Sequence, residues 1–283
     1  MPNDPFGRAH RSPRLSDQET AERMLATAGR RVQDDGLPIS FDLLRFEEII
    51  VEAGVARSAV YRRWPTKSHF FADLLRDLAG ANHPATARYE RESIASALGV
   101  ALQNTASLAT DEGRRWLLVE ILRHAALANF QSLVNSRSWS THVTLMATLS
   151  SLPENADLQE DLRRALFESD EAFYGEMAAT YGALMFLTGH QVRSDLPGVT
   201  TMTIAQLGAA VVEGLTLNAI SNTSLAEQRF TIDPFGVGEA EWSLAGLGFT
   251  QQLMSLVEAD PGQAGHWDEA TIAEHAAILT QFA

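Results

Sequence analysis

The stretch FEEIIVEAGVARSAVYRRWPTKSHFFADLL, from Phe46 to Leu75, leaves the chain few ways to fold. Phe46, Ile49, Ile50 and Ala53 recur at spacings of three and four, so a helix there has one apolar face and turns Glu47, Glu48 and Glu52 away from it. Gly54 stops that helix, because glycine tolerates the left-handed conformation in which helices end, and a sharp turn leads to Val55. Between Arg57 and Trp64, Val60 and Trp64 share one face, while Arg57, Ser58, Tyr61, Arg62 and Arg63 spread over the others. Pro65 disfavours helical geometry in the residue before it, so the second helix closes at Trp64, and Thr66 is placed to cap a third.

A chain of 283 residues can bury one large or two modest cores. It has no cysteine, which excludes disulfides and thiolate chemistry and suits a reducing cytoplasm. The first fourteen residues hold no apolar run, so no signal peptide is expected. Apolar stretches are broken by Glu, Gln, Asn or Gly before about 18–20 residues, so neither is a membrane span. The net charge of −14 is unevenly placed. Residues 1–80 carry 12 Lys/Arg and 12 Asp/Glu, and residues 81–283 carry 10 and 24, so the whole excess lies in the second part. The N-terminal segment is therefore free to face a polyanion. The single lysine of the chain, Lys67, sits at the start of the third helix of the opening stretch.

Three domains are expected along the chain. Residues 1–14, with Arg8, His10, Arg11 and Arg14 among Pro and Gly, read as a disordered basic arm, either a solvated tail or a groove-tracking segment. Residues 15–82 form a helix-turn-helix domain. Ser16 and Glu19 make a capping box for a helix to about Asp34, Gly36 ends it, and an apolar connector from Leu37 to Arg45 packs on the domain. Asn82-His83-Pro84 marks the boundary to residues 83–283, which read as helices over about 87–110, 112–134, 138–151, 156–188, 200–221, 239–258 and 267–282. No strand pattern is found, so the fold class is all-α.

A short helix fits the DNA major groove, and the first turn of this one presents Arg57, Ser58 and Ala59 to base edges. Tyr61, Arg62, Arg63 and Lys67 are placed to meet phosphates, which fixes register without reading sequence. The same residues also fit an ordinary surface helix pair with solvated arginines.

The run AGVARSAVYRRWPTKSHFFADLL resembles the DNA-binding signature of the tetracycline-repressor (TetR) family. Ala53-Gly54-Val55, Tyr61, Trp64, Pro65 and Lys67 match that signature in type and spacing, and the likeness covers roughly residues 16–80. The resemblance implies a homodimeric transcriptional regulator, usually a repressor, with a three-helix DNA-binding domain and a helical domain that binds an effector and dimerises. It implies that Arg57, Ser58 and Ala59 face bases and that Tyr61, Arg62 and Lys67 touch the backbone. There are three departures. Ala56 stands where the family commonly caps the recognition helix with Ser or Thr, Arg45 stands where a Ser or Thr often begins the preceding helix, and the connector from Gly36 to Arg45 is several residues longer than is common.

Ala205, Gly208, Ala209, Val212 and Leu215, with Leu244 and Leu247 in a second segment, combine small and apolar residues at helical spacing. They read either as intradomain core or, as the resemblance implies, as the surface of a homodimer. Trp116, Glu120 and His124 share one helix face, and Phe173, Met177 and Tyr181 another. These are either core stripes or the walls of a cavity for a small, largely hydrophobic effector. The chain lacks Cys sites, HExxH, the ExxH pairs of di-iron bundles and GxSxG. Gly236-Val237-Gly238 lacks a preceding strand and a third glycine. No metal, no cofactor and no enzymatic activity are expected. The expected partners are double-stranded DNA, a second copy of the chain and an unknown small molecule, with no membrane, in the cytoplasm. A helical binding or adaptor protein with a vestigial DNA-binding segment is the alternative.

Overall fold

The computed structural model describes residues 15–37, 45–80, 98–151, 156–263 and 267–282. The expected basic arm, most of the connector and the boundary near Pro84 lie outside them. In chain order the helices are α1 (Asp17–Asp35), α2 (Phe46–Glu52), α3 (Arg57–Arg63), α4 (Lys67–Ala79), α5 (Asp111–Asn135), α6 (Arg137–Ser151), α7 (Ala156–Leu187), α8 (Thr201–Ser221), α9 (Leu244–Leu256) and α10 (Glu269–Phe282). Residues 98–103 are also helical, and Thr105–Ala109 is a 3-10 turn. The all-α class holds. The chain divides into two compact units, Met1–Thr86 with Ser140–Leu166, and Ala87–Trp139 with Phe167–Ala283.

The first unit is built around the opening stretch. α1 starts in a complete capping box: Ser16 Oγ accepts from the Glu19 amide at 3.1 Å, and Glu19 accepts from the Ser16 amide at 2.7 Å. Gly54 adopts φ 64°, the left-handed conformation that the turn between α2 and α3 needs. Ala56 offers α3 no side-chain cap, whereas Thr66 Oγ1 accepts from the His69 amide at the start of α4. Seven residues are too few for a helix to stand alone, so α3 is held by packing. Its inward residues are Val60, fully buried, and Trp64, which follows it in extended geometry. Trp64 stacks edge-on against Phe70 at 5.0 Å and donates from Nε1 to Asp73 at 2.8 Å. Phe46, Ile49 and Ile50 of α2, Met24, Ala28 and Val32 of α1, and Phe70, Phe71, Leu74 and Leu78 of α4 complete this core. Leu145, Leu158, Leu162 and Leu166, from α6 and α7, belong to it too, so a stretch distant in sequence closes the helix-turn-helix unit.

In the second unit α5 packs against both α8 and α9. Two antiparallel ribbons, which the sequence reading missed, accompany these helices. β1 (His190–Val192) pairs with β4 (Val257–Ala259), and β2 (Arg229–Ile232) pairs with β3 (Ala240–Ser243). The helix expected over 239–258 is therefore shorter and flanked by strands, with Ser243 as its cap. Strands of three or four residues are too short to show a period. A strand does precede Gly236-Val237-Gly238, but the next element is β3 and not the helix that a phosphate loop requires. α8 also corrects the membrane reading. By length and composition alone it could cross a membrane, with a mean hydropathy of 1.3, and a third of that window is buried in the fold. Ile204, Ala205, Gly208, Val212, Thr216 and Ala219 are its buried residues.

Trp64→Ala is expected to lower the stability of the first unit by about 3–5 kcal/mol, read as an earlier urea midpoint. Arg57→Ala, on the exposed side of the same helix, should shift stability by less than about 0.5 kcal/mol.

Candidate nucleic-acid interface and ligand cavity

The side of α3 opposite Val60 exposes Arg57, Ser58, Tyr61, Arg62 and Arg63, while Ala59 is half-buried, and Lys67 is exposed at the start of α4. The expected DNA-facing residues are thus brought to one small region of the fold. The sequence reading did not foresee that acids of the same unit engage its arginines. Arg57 Nη2 lies 2.7 Å from Glu47 Oε2, and Tyr61 donates to Glu47 Oε1, also at 2.7 Å. Arg62 pairs with Asp17, and Arg63 reaches Asp73 at 3.3 Å. Lys67 makes no ion pair among the described residues. The hydrogen bond to Glu47 holds the Tyr61 phenol above its ordinary pKa. Glu47 was legible only as a residue turned off the apolar face of α2; that it would reach across the turn to α3 depends on the crossing of the two helices. An exposed ion pair such as Arg57–Glu47 is worth about 0–1 kcal/mol. A bidentate contact from arginine to guanine is worth about 1–3 kcal/mol of discrimination, so the pair does not lock Arg57 away from a base.

The second unit holds a partly open cavity of about 390 Å³. Its walls include Ile121, Leu122, Ala125, Ala126 and Asn129 of α5, the Phe173 to Leu187 stretch of α7, Ala205, Gly208, Ala209 and Val212 of α8, and Phe249 of α9. Of the six residues expected to line a pocket, Phe173, Met177 and Tyr181 do so. Trp116, Glu120 and His124 do not. Trp116 packs with Leu108, Leu117 and Trp267 at another core. Glu120 accepts from Arg123 at 3.0 and 2.5 Å and lies 3.5 Å from His124, while Arg123 donates to the Glu241 carbonyl of β3 at 2.7 Å. These polar side chains satisfy one another and hold the hairpin, and α5 turns its neighbouring positions 122, 125 and 129 to the cavity.

The residues expected at a dimer surface differ in burial. Ala205, Gly208 and Val212 are buried within the unit, and Ala209, Leu215, Leu244 and Leu247 are half-buried. A Cβ on Gly208 would overlap the Phe249 ring, and one on Gly246 would stand 3.2 Å from the Arg123 carbonyl oxygen. The small residues therefore admit α9 against α8 and α5 of the same chain. The large apolar residues that α8 leaves exposed are Leu207, Leu217 and Ile220, on its other side.

A second polar cluster lies apart from the cavity walls. Buried Arg114 donates to the Leu108 carbonyl, pairs with Asp111 and stacks on Trp267 at 4.4 Å. His275 packs edge-on against the same indole at 4.8 Å. Burial, with Arg115 and Arg114 nearby, pushes His190 down to about 4. Among the described residues no group of three His, Asp or Glu is placed to hold a metal ion.

No protein-family model and no curated protein sequence matches the chain. Solved structures similar to it include the reduced form of Escherichia coli NemR, at 16% identity over 85% of this chain and 99% of that one, with a TM-score of 0.42. A candidate TetR-family transcriptional regulator from Mesorhizobium loti aligns at 14% identity over 93% of this chain and 98% of its own, TM-score 0.38. SmeT, the repressor of the Stenotrophomonas maltophilia multidrug efflux pump SmeDEF, aligns at 18% identity over 90% of this chain and 97% of its own, TM-score 0.36.

Glu120 and His190 both predict a loss of stability in acid. Burial disfavours the charged form of Glu120, but hydrogen bonds from His124 and Arg123 outweigh it and leave the carboxyl at about 2. The stability it adds is present above its ordinary pKa of 4.5 and is lost as the pH falls towards 2. His190 is kept neutral in the fold, so its contribution is present above 6.5 and is lost as the pH falls towards 4. In urea unfolding measured against pH, His190→Gln should flatten the upper window and Glu120→Gln the lower one.

Proposed function

We propose that the chain is a homodimeric, DNA-binding regulator of transcription, in the manner of the TetR family, whose operator affinity is reduced by a small, largely hydrophobic molecule held in the cavity. The observation that carries this reading is the disposition of α3. Val60 and Trp64 anchor it from within, while Arg57, Ser58, Tyr61, Arg62 and Arg63 stand exposed on a helix of groove-fitting length. Arg57 and Ser58 read base edges, and Tyr61, Arg62, Arg63 and Lys67 grip phosphates. Reading DNA requires the arginines to exchange Glu47, Asp17 and Asp73 for phosphates and bases. A homodimer is part of the reading because two short recognition helices reach useful affinity only when linked. Release by an effector requires that the effector prefer a spacing of those helices that DNA does not. The reading includes no catalytic activity and a cytoplasmic location.

A second reading, a helical small-molecule binder or adaptor with a vestigial DNA-binding segment, is favoured by the same ion pairs, since all three arginines of α3 are already engaged by carboxylates. The two separate on titration with the chain's own upstream DNA at two salt concentrations. A regulator binds tightly, specifically and with strong salt dependence, whereas equal affinity for unrelated DNA favours the second reading. Lys67→Ala should weaken binding to all sequences alike and lower the salt slope by about 0.9, one phosphate contact. Arg57→Ala should relax base preference at one half-site position, and a site selection unchanged by the substitution removes that role.

A further inference from the structure

Asp73 of α4 faces two ways. Its Oδ2 accepts from Arg63, the last residue of α3, at 3.3 Å and from Nε1 of the following Trp64 at 2.8 Å. Its Oδ1 accepts from Arg76 Nη1 at 3.0 Å. Arg76 is itself divided, because its Nε donates to Asp161 Oδ2 of α7 at 2.9 Å. Arg164 of the same helix donates to the other oxygen of Asp161 at 2.6 Å. Arg63, Asp73, Arg76, Asp161 and Arg164 thus form a row of charges of alternating sign, wholly within the first unit, that runs from the exposed face of α3 to α7.

Alternate members of such a row compete. A carboxylate shared by two guanidinium groups holds each less strongly than it would hold one, and the two like charges repel. Asp161 draws Arg76 off Asp73 and offsets its charge, which leaves more of Asp73 for Arg63. Without Asp161, Arg76 turns wholly to Asp73 and Arg63 is loosened; without Arg76, Asp73 closes on Arg63. We propose that Asp161 and Arg76 are positioning residues for DNA binding that act through Asp73: they set how readily Arg63 leaves its own carboxylate for a phosphate, although neither belongs to α3. The proposal rests on the DNA-binding reading, in which Arg63 grips a phosphate. The members are partly exposed, so each link changes affinity by no more than about fivefold.

The test titrates the full chain with its own upstream DNA, each variant being shown folded by circular dichroism. Asp161→Asn should tighten binding about two- to fivefold, and Arg76→Gln should weaken it by a similar factor. Both substitutions alter the net charge, so the controls are Glu160→Gln and Arg163→Gln, which change it equally in a pair on the same helix and outside the row. The controls should move affinity less. In an Arg63→Ala chain, Asp161→Asn and Arg76→Gln should fall to the effects of their controls. Effects no larger than those of the controls, effects of the same sign for the two substitutions, or effects undiminished in the Arg63→Ala chain overturn the proposal. A measurement without DNA separates the relay from the reading it rests on. In nuclear magnetic relaxation of the arginine side chains, Asp161→Asn should make Arg63 more mobile and Arg76→Gln less so, and an Arg63 indifferent to both overturns the relay. A parent chain with no preference for its upstream DNA refutes the DNA-binding reading and the role of the relay with it, whereas specific binding that ignores Asp161 refutes the relay alone.

Discussion

The burial of Trp64 and Val60 is the interaction on which the N-terminal unit depends. A seven-residue helix has too few internal hydrogen bonds to offset the cost of nucleating it, so α3 exists because Val60 within it and Trp64 just after it are buried in one core with Phe46, Ile49, Ile50 and Phe70. That grip fixes the rotation of the helix about its axis. The rotation decides that the arginines face outwards and that Glu47 of α2 can reach both Arg57 and Tyr61. Packing thus sets the electrostatics of the exposed face.

A similar logic governs the second unit, where glycine takes the part of the large side chain. Gly208 leaves room for the Phe249 ring, and Gly246 for the Arg123 carbonyl, so α8, α9 and α5 come together closely. The cavity is the space left where α7 closes over that contact. Its polarity is low because Glu120, Arg123 and His124 of α5 are tied to one another and to the hairpin, and Asn129 is the polar side chain that α5 adds to the wall.

Much of the fold was legible because helices of ten or more residues repeat their pattern several times. α5, α6, α7 and α8 begin and end within a residue or two of the expected limits, and the caps at Ser16 and Thr66 and the turn at Gly54 stand where their residue types put them. The short strands were not legible, since three or four residues carry no period. Side-chain roles that depend on helix rotation were read with mixed success. Phe173, Met177 and Tyr181 were found by i, i+4 spacing, whereas Glu176 and Thr180 occupy the i+3 and i+7 positions of the same stripe and were passed over. On α5 the polar side chains drew attention to the wrong face, because composition cannot distinguish a polar group that lines a cavity from one that is satisfied by its neighbours. The small residues of α8 pointed correctly to close helix contact, but a sequence does not say whether the approaching helix belongs to the same chain.

The acids around α3 carry a kinetic consequence. Glu47, Asp17 and Asp73 sit beside its three arginines, and the remaining two hundred residues are strongly acidic. A chain with this charge arrangement exerts little long-range pull on a polyanion. If it reads DNA, it arrives slowly, slides little on unrelated sequence, and commits only where matched groups displace its own carboxylates.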